Sequence, residues 1–577
     1  MVGENKIGKS NFLFALRLLL DSSLPDTARM LRLTDFWEGL GQPLPDDAVI
    51  HISVDLANFQ DNDDLNAILS DYIIRTDPLP YVARLNYVFR KIAGRDDDEA
   101  SVSQYGFHLY GADDETRKID VRQRRWMPFD LLQALRDAEN DLSTFRRSPL
   151  QPLLKRAFAQ IPSDQLTSIS TSIQEAQNKL SYNEHISELE TRIITKLTAM
   201  TGPIHAIATT LRVASARSDA LMRAIRLYID EGVRDIGEAS LGSANLLYIA
   251  LKTLEIQEAL DQRERHHSFF AIEEPEAHLH PHLQRLAYRH FLRSRYVRED
   301  SEIQHSQQTI LMTTHSPHIV SISPLRSLVL MKRNIKGDAT IAVSTVGIDW
   351  DNSEVADLER YLEVTRGEIL FSRAVLLVEG DAEEYIIPVL ARLLGYDLDE
   401  QGISVCSISG THFEPYIKLL GPRALNIPFA IITDFDPAKD DSETSRHVNG
   451  PQRVRKLLDI LCPENDHTTL SEKQCLTKGQ ENGIFVNEYT LEVDLFQAGG
   501  HDAICKTIIE LSTNGAARKR AEAWRTNPSI VDIEWLLKDI TGISKGRFAQ
   551  NLSRRLSQDS CPEYIKNAIS YLVGKAL

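Results

Sequence analysis

The chain has 577 residues, 42% of them hydrophobic, which is enough for two to four domains with ordinary buried cores. A net charge of −17 argues against a general nucleic-acid coat, though not against DNA contact through local basic stretches or metal ions. The five cysteines all lie from Cys406 onward without a CxxC pair, which argues against a zinc cluster and for a reduced, cytoplasmic protein. No apolar run reaches membrane-spanning length, and the polar amino terminus does not read as a signal peptide.

Gly3 to Ser10 reads GENKIGKS, which fills every position of the phosphate-cradling pattern GxxxxGKS. Its glycines let backbone N–H groups approach phosphate oxygens, Lys9 reaches the β- and γ-phosphates, and Ser10 ligates Mg2+. Gly3, Asn5, Gly8, Lys9, Ser10 and Asn11 are therefore the first candidate ATP contacts. The apolar run Phe12 to Leu20 predicts the helix whose start faces the phosphates. Such a loop should follow a buried strand, and almost nothing precedes this one. The expectation is a loop lacking its first strand, poorly anchored, with weak ATP hydrolysis.

Further along, Ile50 to Leu56 alternates and predicts a strand, while Asp61 to Asp64 and Asp96 to Glu99 read as solvated acidic loops. The basic stretch Arg117 to Arg125 could track a phosphate backbone or be an exposed charged face. The spacing in Pro128 to Leu142 predicts a helix. Arg146 to about Met200 is helical and charged with heptad-like spacing, either a dimerisation arm or a plain bundle. After strand-like Arg226 to Ile229, Ser240, Gly242 and Ser243 open a helix with a small, hydroxyl-rich turn that could meet a phosphate. An apolar strand, Phe269 to Ile272, then delivers Glu273 and Glu274. The first acid would hold Mg2+ and the second would polarise the attacking water. Strand Thr309 to Thr314 ends at His315. These four elements in this order resemble an ABC-type ATPase, in which His315 would contact the γ-phosphate. The match of Ser240–Ser243 to the signature is loose, because Ala244 stands where Gly is expected, and Glu273 stands where Asp is usual. The resemblance implies ATP sandwiched between protomers, hence a homodimer or a dimer of dimers.

Trp350 to Gly367 reads as a linker and helix, and a second pattern follows. Three apolar strands, Ala374 to Val378, Ile403 to Ile408 and Phe429 to Thr433, alternate with helical segments, as in a parallel sheet. Functional groups gather at the carboxyl ends of such strands. Glu379, Asp434 and Asp436 stand there, and Glu383 lies one helical turn beyond Glu379. Four converging carboxylates repel one another, and a hard cation such as Mg2+ or Mn2+ removes that cost. The pattern resembles the TOPRIM domain of topoisomerases, primases and nucleases. A polar stretch, Asp440 to Gly450, and a strand, Phe485 to Asn487, precede Glu492 and Asp494. This second acid pair either completes a metal shell or simply opens a helix. Lys545 begins another helix. From composition alone it is a surface lysine; beside a carboxylate cluster it could neutralise a phosphorane-like transition state.

Taken together, ALRDAENDL, IEEPEAHLHP, THSPH, LLVEGDAEE, TDFDP, TLEVDL and KGRFA resemble motifs of the OLD (overcoming lysogenization defect) nucleases, the group that includes the nuclease subunit of the Gabija anti-phage system. The resemblance implies an α/β chain of two machines: a P-loop ABC-type ATPase with a helical insert, then a TOPRIM parallel-sheet domain. It divides the chain into 1–145 and 206–350 (ATPase), 146–205 (insert), 351–372 (linker) and 373–577 (TOPRIM with a helical end). It makes Glu379, Glu383, Asp434 and Asp436 metal ligands, Glu492 or Asp494 a further one, and Lys545 the transition-state cation. The implied activity is ATP-regulated, metal-dependent hydrolysis of DNA, with a helicase as a further candidate partner and no membrane. The rival reading is a RecF-like ATP-dependent DNA-binding protein whose TOPRIM fold is not catalytic. A topoisomerase is disfavoured, since none of the 17 tyrosines stands in a recognisable topoisomerase context.

Overall fold

A computed structural model describes residues 1–92, 104–134, 137–181, 183–201, 218–230, 233–293, 307–334, 337–362, 364–435 and 450–576. Asp436, the acidic loop Asp96 to Glu99 and all but the last residue of the polar stretch Asp440 to Gly450 lie outside the described residues.

The amino-terminal strands are β1 (Val2–Gly3), β2 (Val49–Ala57), β3 (Ile73–Arg75), β4 (Val82–Lys91), β5 (Tyr105–Gly111) and β6 (Phe129–Leu132). After the insert come β7 (Tyr228–Ile229), β8 (Arg234–Asp235), β9 (Ser268–Glu273), β10 (Gln308–Thr313), β11 (Val329–Arg333) and β12 (Thr340–Ser344). β9 is flanked in parallel by β6 and β10, and β1 runs parallel to β11. Val2 bridges to Thr314, at the end of β10. The Met1 amine donates to Met312 O at 2.6 Å, and Thr314 N donates to Met1 O at 3.1 Å. The loop expected to lack a preceding strand thus follows a two-residue one, seated between β10 and β11. Two residues carry no periodicity, so nothing in the sequence marks this strand.

A second correction concerns Pro128 to Leu142, where the spacing predicts one helix. Phe129–Leu132 is instead a strand, with Phe129 and Leu132 buried, and only Ala138–Ser143 is helical. Pairing with β9 decides the matter: a strand beside a largely buried neighbour satisfies its backbone there, overriding local helical spacing. Beside this layer, β4 is the centre of an antiparallel sheet with β2 on one edge and β3 and β5 on the other. Its buried face, with Leu85, Tyr87 and Phe89, packs on Leu13 and Leu19 of helix Lys9–Leu20. Helices Ser163–Ser181 and Glu184–Thr201 occupy the insert. In the basic stretch, helix Val121–Trp126 turns Arg124 inward to 5% exposure, so the stretch is not one solvated face.

The carboxyl-terminal sheet has four parallel strands, β13 (Ala374–Val378), β14 (Ile403–Ser407), β15 (Phe429–Thr433) and β16 (Ile484–Val486), in the order β14-β13-β15-β16. All five residues of β13 are 0% exposed, as a continuous apolar run covered on both faces requires. Alternate side chains go to opposite cores. Ala374, Leu376 and Val378 meet Ile386 and Leu390 of helix Asp381–Leu393 and Ile565 and Leu572 of helix Glu563–Ala576. Val375 and Leu377 meet Ile417 and Leu420 of helix Glu414–Leu420 and Val454 and Leu457 of helix Gly450–Leu461. The chain leaves β13 for β14 on one side and returns to β15 on the other. The crevice at this reversal opens at the carboxyl ends of β13 and β15.

Candidate functional sites

Two sites form, one at the end of each parallel sheet. In the first, the P-loop turns through Lys6 (φ 63°) and Gly8 (φ 98°) into helix Lys9–Leu20. Gly8 caps that helix in the left-handed region, where a side chain would cost about 1 kcal/mol. Lys9 is buried, and its Nζ donates to Gly3 O and Glu4 O, both at 2.9 Å. Burial holds its pKa below the usual lysine value, against the pull of Glu274 and Glu276. His315 Nδ1 is 3.5 Å from Lys9 Nζ, and His315 Nε2 is 3.5 Å from Glu274 Oε1. Burial, then the Lys9 charge, lowers the His315 pKa. Glu273 ends β9 beside Glu274, whose φ of 43° swings it off the strand axis. The structure therefore brings Lys9, Glu274 and His315 to one point. Asn5, Ser10 and Asn11 stand exposed on the loop and the first turn of the helix.

Ser240, Gly242 and Ser243 serve a different start, that of helix Leu241–Asp261. Ser240 Oγ accepts from Ser243 N at 3.2 Å, and a Cβ on Gly242 would come within 2.7 Å of His278 O. Glu276 was not singled out by sequence reasoning. Its carboxylate accepts from Thr314 Oγ1 at 2.9 Å and from His315 N at 2.6 Å, which fixes the histidine loop. The only signal for it was its place in the EEPEAH run.

The second site lies in the crevice between β13 and β15. Glu379 Oε1 accepts from Thr433 Oγ1, from Asp434 N at 2.9 Å and from Arg453 Nη1 at 2.9 Å. Arg453 is buried and also donates to Asp434 O at 3.0 Å. Asn487 donates to Asp434 Oδ1 and accepts from Phe435 N at 2.7 Å. Glu383 and Glu492 are buried alongside, and Lys545 Nζ is 3.2 Å from Glu492 Oε1. Burial, followed by Glu379, Glu383 and Glu492, pushes the Asp434 carboxyl up to about 8. Burial, then Glu492 and Glu379, brings Glu383 to about 7. Lys545 stays above the ordinary lysine value: burial lowers it, but Glu492, Asp434 and Glu383 outweigh that.

Glu379, Glu383, Asp434, Glu492 and Lys545 thus share one site. Asp494 is engaged elsewhere, on backbone N–H groups. Its oxygens accept from Glu488 N at 2.8 Å and Tyr489 N at 3.2 Å, so it holds the turn that presents Glu492. Among the described residues no three His, Cys, Asp or Glu side chains stand ready-spaced as a metal cluster. The donor chemistry nevertheless fits a hard divalent cation, since carboxylates that raise one another's pKa are those a cation would ionise. Arg453 and Lys545 supply the counter-charge. Arg453 and Asn487 carry no motif and were missed, and Thr433 stood in TDFDP without being singled out.

Two stretches of the chain match known domain families. Residues 370–436 match the model of the overcoming lysogenization defect protein-like TOPRIM domain, and residues 96–320 match an AAA ATPase domain. Endonuclease GajA of Bacillus cereus is 28% identical over 35% of this chain and 31% of its own length. The OLD nuclease of Thermus scotoductus is 30% identical over 30% of this chain and 33% of its own length. The alignments thus span about a third of each of these two curated relatives. The solved carboxyl-terminal region of the Burkholderia pseudomallei OLD protein is 43% identical, with a TM-score of 0.33, and covers 36% of this chain and 100% of that one. By these matches the chain carries an AAA ATPase region followed by an OLD-like TOPRIM domain, an arrangement similar to that of the OLD nucleases.

Proposed function

We propose that the protein is an ATP-regulated DNA endonuclease that hydrolyses phosphodiester bonds at the crevice between β13 and β15. The observation that carries this reading is the cluster of Glu379, Glu383, Asp434 and Glu492 at that crevice, with Lys545 on Glu492. Bound there by these carboxylates, and by Asp436 two residues beyond Asp434, Mg2+ or Mn2+ would supply an activated water and charge neutralisation. The chain's own groups do the rest. Thr433, Asp434 N and Arg453 fix the rotamer of Glu379, so one oxygen is held and its carboxylate plane is set. Asn487 orients Asp434 in the same way. Lys545, exposed on the solvent side of Glu492, is placed to meet negative charge growing on a phosphoryl group.

Lys9, Glu274 and His315 form the nucleotide site, with Ser10 on Mg2+, Glu273 beside Glu274, and Ser240–Ser243 of a second copy closing over the γ-phosphate. A homodimer in the cytoplasm, active in DNA processing or anti-phage defence, follows from this reading; no described helix is long and apolar enough to cross a membrane. The test is cleavage of supercoiled plasmid in Mg2+ or Mn2+. Loss of nicking in Glu379→Gln with DNA binding retained supports the nuclease. DNA binding that follows ATP, without nicking by the wild type, would establish the RecF-like binding reading instead.

A further inference from the structure

The two sites are joined by a short, fully described route. Two residues past His315, helix Pro317–Val320 begins, and it packs on helix Val364–Gly367. A Cβ on Gly367 would lie 3.4 Å from Pro317 O, so the backbones nearly touch. The neighbouring residue, Arg366, reaches the other way. Its Nε donates to Ser407 O at 2.9 Å and its Nη2 to Ser409 Oγ at 2.7 Å. Ser407 ends β14, and Ser409 holds a left-handed φ of 54°. This loop grips the nuclease site twice. Ser407 Oγ donates to Asp381 Oδ1 at 3.1 Å, at the start of the helix that carries Glu383. Ile408 N and Gly410 N donate to Val378 O and Glu379 O, both at 2.9 Å.

We propose that Arg366 is a positioning residue that transmits the occupancy of the nucleotide site to Glu379 and Glu383, by clamping the Ser407–Gly410 loop to the helix that abuts the histidine switch. A ligand shifts such a linkage only if it contacts its two arrangements differently. Lys9 and His315 provide that difference, because a triphosphate's oxygens compete for the ammonium now shared by Gly3 O and Glu4 O. Arg suits the clamp because its planar guanidinium holds its donors in a fixed fork that spans two separated acceptors, whereas a lysine ammonium presents its donors from one rotatable point.

The inference rests on the proposed nuclease only for its catalytic readout. Hydrogen exchange of the full chain, with ATP and Mg2+ against Mg2+ alone, reads the coupling without any cleavage. In the wild type, ATP should change exchange across 404–411 by about fivefold or more. In Arg366→Ala the change should fall below about twofold, with Arg366→Lys intermediate, while β13 stays protected. Ser409→Ala deletes one acceptor of the clamp and should weaken the same response, which decides the matter if Arg366→Ala loosens the sheet. In plasmid nicking, the ratio of rates with and without ATP should approach one in Arg366→Ala. No wild-type exchange response to ATP, or a full response surviving in Arg366→Ala and Ser409→Ala, overturns the proposal. An ATP-responsive loop in a chain that never nicks would instead sink the nuclease reading and leave the clamp standing.

Discussion

Glu379 is 17% exposed in its side chain and pairs with an arginine that is 7% exposed. Removing the arginine strands a carboxylate in the crevice, which for a buried pair costs about 3 kcal/mol or more. Arg453→Ala should therefore lower the free energy of unfolding by an amount of that order, read from equilibrium denaturant titration, and Mn2+ should restore part of it. A loss under about 1 kcal/mol would mean that water solvates Glu379 already. Lys545→Ala should slow nicking by about a hundredfold while metal binding, read by calorimetry, persists. At this scale Glu379, Asp434 and Glu383 were legible because each ends an apolar strand or lies one turn past such an end. Arg453 was not, because its contact with Glu379 crosses 74 residues and no local pattern announces it. Asp494 was left open between metal ligand and helix-start acid because an acid two residues from another looks the same in sequence whether it binds a metal or caps a turn.

Among the elements, β13 contributes to both cores and is buried along its whole length. Leu376 is 0% exposed, so Leu376→Ala should cost about 2–5 kcal/mol, read from equilibrium unfolding, the spread reflecting how far helix Asp381–Leu393 can close the gap. The strands of this sheet were legible because a buried parallel strand is a short apolar run stopped by turn residues. β4 and β5 were not foreseen, and β6 was read as helix. Phe129–Leu132 has no pattern of its own that outweighs the helical spacing after it, and only its pairing with β9 settles it. β1 is shorter still, held by Met312, Thr314 and β11 rather than by any preference of its own.

Across the whole molecule, on the proposed reading, protons and metal compete for one set of carboxylates. Glu383 and Asp434 titrate near 7 and 8 in the folded chain without divalent cation, well above unfolded carboxylates. Between about pH 4 and 8 the native state thus binds more protons than the unfolded state, so stability in EDTA should fall as pH rises through that window. A divalent cation displaces those protons, so the rise in Tm on adding Mn2+ should grow from pH 6 to pH 8.5. A metal-induced shift independent of pH would show that these carboxylates are not its ligands. Lys9→Ala should leave nicking measurable but unresponsive to ATP, since Lys9 belongs to the other site.

The most direct measurement of the central claim is nicking of supercoiled plasmid in Mg2+ and in Mn2+ by the wild-type chain, Glu379→Gln and Lys9→Ala, with and without ATP. Nicking by the wild type and by Lys9→Ala, lost in Glu379→Gln, is the result predicted for hydrolysis at the crevice between β13 and β15. Nicking by the wild type that survives in Glu379→Gln, or no nicking by the wild type under any of these conditions, would contradict it.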